Sequence, residues 1–210
     1  MHLTLCIHTS AKSPWLYLLK DGVPFAEAMD DDRDPTTGPT LGQMAEGMLQ
    51  DADAGVGTLT DILVDIGPGR LSAVRAGVSF ANALSFGLNI PLAPVTASEA
   101  LGMQASLATG LPALVIHKSA ADAAYVGRYQ DSGLQSLRYG PLSRTLAKSV
   151  EGLTKAAFIG LEADLPGITF SDGGPDIITA ATFAAMLAAS PAFTSDPIQP
   201  ITEQSEAIDG

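Results

Sequence analysis

Asp65 and Asp172 are the carboxylates best placed to do chemistry, because each follows an apolar run and stands beside a glycine-bearing turn. On an α/β scaffold such acids hold magnesium against phosphates, and Gly173-Gly174 would let a phosphate approach the backbone. A Gly-Gly before a proline-started helix also reads simply as a plain turn. The histidines His2, His8 and His117 include no pair at helical spacing, so zinc would need ligands assembled from scattered residues. Ser10, Ser13 and Ser98 have no Ser-His-Asp framework around them. The segment GPGRLSAVRAG, which starts at Gly67, lacks the Lys-Ser or Lys-Thr ending of a nucleotide-binding loop, so Gly67, Pro68 and Gly69 read as a stiff structural turn. Arg70 and Arg75 flank that turn. They are either ordinary solvated charge or groups that meet a partner or a phosphate at an interface, with Arg75 expected at the rim of the contact.

These residues sit on a framework that the hydrophobic pattern makes readable. Ile62, Leu63, Val64 and Ile66 form a nearly continuous apolar run, as in a strand buried on both faces; the Gly-Pro-Gly turn, a helix over Leu71 to Phe86 and a second apolar run ending at Pro94 complete a βαβ unit. Ser72 is positioned to cap that helix. At about 100° per residue, Ala73, Gly77, Ala81 and Ser85 form a stripe of small residues, while Ser72, Arg75, Ser79 and Asn82 keep a narrow polar arc. More than half of this helix needs cover, from a neighbouring helix of the same chain or from a second chain.

Upstream, Leu3 to Ile7, Pro14 to Leu19 and Val23 to Met29 read as an antiparallel meander. The run Asp30, Asp31, Asp32, Arg33 and Asp34 has a spacing that suggests a divalent ion but reads as a solvated connection. Thr40 to Ala54 is an amphipathic helix with Met44 and Met48 on its apolar face, residues that fill core gaps and also suit surfaces that repack on binding. Ser98 to Ala108 is a helix with Ser98 as its cap. Short strands are expected at Leu111 to Ile116, Ala124 to Tyr129, Leu134 to Tyr139, Ala156 to Ile159 and Gly167 to Phe170, with helices at Leu142 to Val150 and Ile177 to Ala189. The expected division is a lobe over residues 1–110, a smaller lobe over 111–190 and an extended tail over 191–210.

The composition narrows the partners. With 46% hydrophobic and 16% charged residues the chain is a folded protein, and its net charge of −12 disfavours unaided binding to nucleic acid or anionic membrane. The single cysteine, Cys6, excludes an internal disulfide, and no apolar run approaches the roughly 20 residues of a membrane span. The expected location is cytoplasmic, with no membrane partner.

The segments GPGRLSAVRAGVSFANAL and NIPLAPVTASEAL resemble the Gly-Pro-Gly helix and Ser-Leu-Glu-Ala stretch of the TsaB (YeaZ) family, and LCIHTS with WLYLLKDG resembles its opening Ile-Asp-Thr-Ser hairpin. The similarity spans residues 3 to 189 and is strongest over 61 to 101. It implies an actin-like, Hsp70-like, sugar-kinase-like (ASKHA) α/β fold of two lobes. It also implies a non-catalytic role beside the catalytic paralogue TsaD and the ATPase TsaE, making N6-threonylcarbamoyladenosine at position 37 of tRNA. ATP or ADP is then expected only at the interface with the paralogue, tRNA is contacted indirectly, no intrinsic cofactor or metal is needed, and the chain also pairs with itself as a homodimer.

In that family the helices of the first lobe carry both pairings, which here points to Met44, Met48, Arg70, Ser72, Ala73, Arg75, Gly77 and Ala81 as the contact. Departures from the family pattern are definite. His8 replaces the Asp of the first turn, and an imidazole is a poor magnesium ligand. Thr40-Leu41-Gly42-Gln43 stands where a His-Ser-Glu stretch is expected, Arg70-Leu71-Ser72-Ala73 replaces Ser-Phe-Thr-Gly, and Lys118, Ser119 and Ala120 replace an Asp-Ala-Arg turn before Tyr125 and Tyr129. The alternative function is a small-molecule kinase or nucleotide hydrolase of the same superfold.

Overall fold

The computed structural model describes residues 1–30, 38–119, 121–160, 166–203, 205 and 208–209. Asp31, Asp32, Arg33 and Asp34, and hence the divalent-ion reading, lie outside the described residues, as does Ala120. In chain order the elements are β1 (Leu3–His8), β2 (Trp15–Lys20), β3 (Val23–Met29), α1 (Leu41–Asp51), a 3₁₀ turn (Val56–Thr58), β4 (Asp61–Asp65), α2 (Leu71–Leu88), β5 (Leu92–Val95) and α3 (Ala97–Thr109). They continue with β6 (Ala113–Lys118), β7 (Ala123–Gln130), β8 (Gly133–Pro141), α4 (Leu142–Ser149), β9 (Lys155–Ile159), β10 (Thr169–Asp172), α5 (Ala180–Ala188) and β11 (Ile208–Asp209). No described helix is long and apolar enough to cross a membrane.

The chain forms two α/β units, as expected for the actin-like, sugar-kinase-like class. One unit comprises Met1–Val95 with Thr179–Pro200, the other Thr96–Ile178 with Ile201–Gly210. In the first, the strands run β3-β2-β1-β4-β5, with β1 antiparallel to β2 and parallel to β4. All six residues of β1 and all five of β4 are buried, which suits their mostly apolar sequences, with Thr4, His8, Asp61 and Asp65 as the polar exceptions. The helix α1 begins with a reciprocal capping box: the Gln43 N–H donates to Thr40 Oγ1 at 3.2 Å, and the Thr40 N–H donates to Gln43 Oε1 at 2.9 Å. Its Met44 and Met48 join Leu5, Ile7, Leu16, Leu18, Ile62 and Val64, together with Val74, Val78 and Ala81 of α2, in one core.

In the second unit the order is β10-β9-β6-β7-β8-β11, with β6 antiparallel to β7 and parallel to β9. Read from β8, this is the same sequence of connections as in the first sheet: a three-strand meander followed by two parallel strands.

The observed division differs from the expected boundary near Thr109 to Leu111. The helix α3 belongs to the second unit because its Gly102 sits on the Tyr129 side chain and its Ser98 against Gly127, approaches too close for a Cβ on either glycine. The helix α5 returns to the first unit, where the fully buried Phe183 packs on Tyr17 with ring centroids 5.8 Å apart. The expected tail is also bound in part. Thr194 bridges antiparallel to Leu92 on β5, and the Asn82 side chain pairs with the Ile198 backbone, donating to its carbonyl and accepting from its N–H, both at 3.0 Å. Two expected caps are corrected. Arg70 rather than Ser72 occupies the N-cap of α2 without a side-chain bond, and Thr96 caps α3 through the Glu99 N–H at 3.2 Å, leaving Ser98 buried within the helix.

Candidate functional site

The parallel pairing of β1 and β4 brings their C-terminal ends together, and with them His8 and Asp65. His8 Nδ1 lies 2.8 Å from Asp65 Oδ2, and both residues are fully buried. The same oxygen accepts the Ser10 N–H at 2.9 Å, and Oδ1 accepts the Gly67 N–H at 2.8 Å. Burial pushes the Asp65 pKa up, but the His8 hydrogen bond and charge, with the N–H groups of Ser10 and Gly67, more than offset it and hold the carboxyl below its ordinary value. Asp65 is therefore an anion, and His8 Nδ1 carries the proton between them.

The corner closes over this pair. The Gly67-Pro68 peptide is cis and Gly67 has φ +91°. A Cβ on Gly69 would lie 2.5 Å from Ser10 Cβ, and one on Gly77 would collide with the Thr9 side chain. Thr9 is itself buried. Thus the loop after β1 is clamped between the Gly-Pro-Gly turn and the first turns of α2.

This arrangement determines what chemistry the corner can perform. Three of the roughly four lone-pair positions of the Asp65 carboxylate are taken up by N–H donors, and the dyad is closed to solvent, so neither a magnesium ion nor a nucleophile reaches it. Magnesium does not fit the residues present. Among the described residues, no group of three or more His, Cys, Asp or Glu side chains is placed to hold a metal ion. Asp172 closes its own turn, accepting the Gly174 N–H at 2.8 Å, while Gly173 is required by a close approach to the Phe158 carbonyl and Ile159 on β9. Its Gly-Gly pair is a plain turn. His2 pairs with Asp61 at 2.8 Å at the opposite end of β1 from His8, and His117 lies on β6. Cys6 is buried and its thiol is pushed well above its ordinary pKa by that burial, with Asp61 adding to the shift, which makes it unreactive.

The residues expected at a partner contact divide sharply. Met44 and Met48, 7% and 4% exposed, and the buried Gly77 and Ala81 are spent on the unit's own core, so they offer no surface to a second chain. The cause is the turn itself: Gly77 is small to admit Thr9, and Ala81 is small to lie on the sheet. Ala73 is half-buried, while Arg70, Ser72 and Arg75 are exposed. The exposed face of α2 instead carries Ser72, Arg75, Ala76, Ser79, Ala83 and Phe86, the last 91% exposed. Beside it, an apolar groove of about 350 Å³ runs between α1 and α2, lined by Ala45, Leu49, Val56, Leu59, Phe80 and Leu84 among others. Phe86 was visible in the sequence as the one large apolar residue near the polar arc.

Against known proteins, residues 39–137 match the family model described as "TsaD: tRNA N6-adenosine threonylcarbamoyltransferase". No curated protein matches the sequence. Among solved structures, YeaZ from Pseudomonas aeruginosa superposes with a TM-score of 0.68 at 17% identity, covering 96% of this chain and 100% of that one. A second Pseudomonas aeruginosa structure, described as an uncharacterized protein with similarity to peptidase YeaZ, gives 0.67 at 17% identity over 96% of this chain and 99% of its own. Component A of the Acidaminococcus fermentans (R)-2-hydroxyglutaryl-CoA dehydratase gives 0.43 at 16% identity, over 67% and 48%. In fold the chain thus resembles YeaZ along nearly its whole length, and residues 39–137 match the TsaD family model.

Proposed function

We propose that this protein is a non-catalytic partner subunit in the formation of N6-threonylcarbamoyladenosine on tRNA, pairing with a TsaD-like catalytic paralogue and working with a TsaE-like ATPase. The observation that carries this reading is the TsaD-family match on the segment bearing α1, α2 and the buried corner, within a chain that has the YeaZ fold from end to end. Two features support it. The sealed His8–Asp65 pair, its carboxylate already accepting three N–H donors, suits a fold that does not hold a nucleotide's magnesium by itself. The groove between α1 and α2, with Phe86 standing free beside it, suits a surface that a partner or a second copy covers. Any ATP or ADP then sits at the interface with the paralogue, and the complex works in the cytoplasm.

Reconstitution tests the proposal. The chain is mixed with the paralogue, the ATPase, tRNA, ATP and threonylcarbamoyl adenylate, and modified nucleosides are counted with and without it. Modification that depends on the chain is the expected result. A chain that hydrolyses ATP or phosphorylates a small molecule alone, and leaves the paralogue's activity unchanged, would replace this reading with the kinase or hydrolase alternative.

A further inference from the structure

Among the described residues, Met186 is the last that is buried, so the arm that starts at Pro191 contributes no buried side chain to either core. Hydrogen bonds to its backbone hold it instead. The Thr194 N–H donates to the Leu92 carbonyl at 2.8 Å, and the Leu92 N–H donates to the Thr194 carbonyl at 2.9 Å. The Asn82 side chain accepts the Ile198 N–H and donates to the Ile198 carbonyl, both at 3.0 Å, while the Ile198 side chain rests half-buried on the first unit's core. From Ile201 the arm goes with the second unit, where Glu203 Oε1 accepts from Ser119 Oγ at 3.3 Å and β11 pairs antiparallel with β8. An element fastened mainly by exposed or half-exposed hydrogen bonds opens locally at a small fraction of the cost of global unfolding.

The joint between α5 and the arm is strained. Ser190 has φ +58°, in the left-handed region that a residue with a Cβ occupies at a cost. Pro191 follows it, and a proline favours an extended backbone in the residue before it. Local sequence and closed conformation therefore disagree at this one position. Straightening Ser190 removes the disagreement and redirects the arm away from its present course.

We propose that this arm is exchangeable between two copies of the chain, each laying its Thr194 and Ile198 on the Leu92 and Asn82 of the other. The occupant is a second copy because the identical segment already sits on this track, and its bonds form as well between copies as within one. The exchanged pair needs no new surface, and two relaxed Ser190 joints favour it over two closed monomers. Closure within one chain competes through the high effective concentration of a short tether, so exchange becomes appreciable near about 1 mM protein. This pairing is separate from the groove between α1 and α2 and does not rest on the function proposed above.

The test mixes two differently isotope-labelled preparations of the full chain, equilibrated together up to about 1 mM, and reads mass by light scattering and isotope-filtered NOEs between the amide protons of Leu92 and Thr194. The expected result is a dimer whose share rises with concentration and which carries that NOE between chains. Ser190→Gly, which occupies the left-handed region freely, lowers the dimer association constant about ten-fold, since neither joint then gains by straightening. Asn82→Ala removes the same bonds from the closed and the exchanged forms, so it speeds hydrogen exchange at the Ile198 amide about ten-fold and leaves the dimer share unchanged. Phe86→Ser also leaves it unchanged. A chain that stays monomeric throughout, a dimer without the NOE between chains, a dimer indifferent to Ser190→Gly, or one lost with Phe86→Ser would each overturn the proposal.

Discussion

The two units share a strand order and part company at one register position. One residue beyond the last paired residues of the central parallel strands, the first unit places His8 beside Asp65, and the second places Ile116 beside Gly160. In the first, the buried Asp65 carboxylate gathers three N–H donors, His8 Nδ1 among them, and fastens the loops after both strands. In the second, Gly160 has φ +103° and a Cβ on it would collide with the Ile116 carbonyl, so the strands close by backbone contact alone. The same topology is thus locked once by charge and once by the absence of a side chain. A fold can keep its architecture while exchanging one kind of closure for the other.

The comparison can be broken at its strongest point first. Asp65→Ala leaves the His8 Nδ1–H and the Ser10 and Gly67 N–H groups buried without an acceptor, and should cost about 3–5 kcal/mol in urea unfolding. A loss below about 1 kcal/mol would show that the corner is not held by this carboxylate. Gly160→Ala tests the other closure. It combines a left-handed backbone with a backbone collision and should cost about 2–4 kcal/mol, read by the same denaturation and by loss of near-ultraviolet signal.

Gly77→Ala, which sets a methyl group into Thr9, is expected to cost about 1–3 kcal/mol. The companion Gly87→Ala, where a Cβ meets nothing within 4 Å, should leave stability unchanged or raise it slightly. Equal effects would mean that the Thr9 contact does not set the size of this position.

The buried Asp65 carboxylate also predicts a pH signature. Asp65 is held below its ordinary pKa of 3.8, so the stability it contributes is complete above that value and is lost as pH falls through the lower folded value. Wild type should weaken on acidification below about pH 4, whereas Asp65→Asn, already weaker, should show a shallower loss over that window. Parallel curves would contradict the assignment. The smallest effect on stability is expected at Phe86: Phe86→Ser should change unfolding by less than about 0.5 kcal/mol, yet weaken binding to the paralogue or to a second copy. Unchanged binding would take this face out of the proposed contact.

Much of this architecture was readable from pattern. The apolar run Ile62 to Val64, the Gly-Pro-Gly corner and the helical spacing after it fixed the first strand and the helix of the central βαβ unit to within two residues, because strand and helix periodicities are local. What covers a face is not local. The small stripe Ala73, Gly77, Ala81 and Ser85 called for a neighbouring helix or a second chain, but its partners are Thr9 and the sheet, and Ser85 Oγ donates to the Ile90 carbonyl at 2.6 Å. Smallness records a close neighbour without saying whose it is. Asn82 read only as part of the polar arc, yet its amide matches a peptide group 116 residues away.

The strap formed by Thr194 and Ile198 has a consequence for life in a crowded cell. An open edge like that of β5 invites strand exchange with any neighbour bearing a free backbone. Thr194 exchanges two hydrogen bonds with Leu92, at 2.8 and 2.9 Å, and so occupies that edge from within. Proteolytic trimming ahead of Thr194 would therefore do more than shorten the protein: it would uncover an adhesive margin and turn a discrete molecule into one prone to stack.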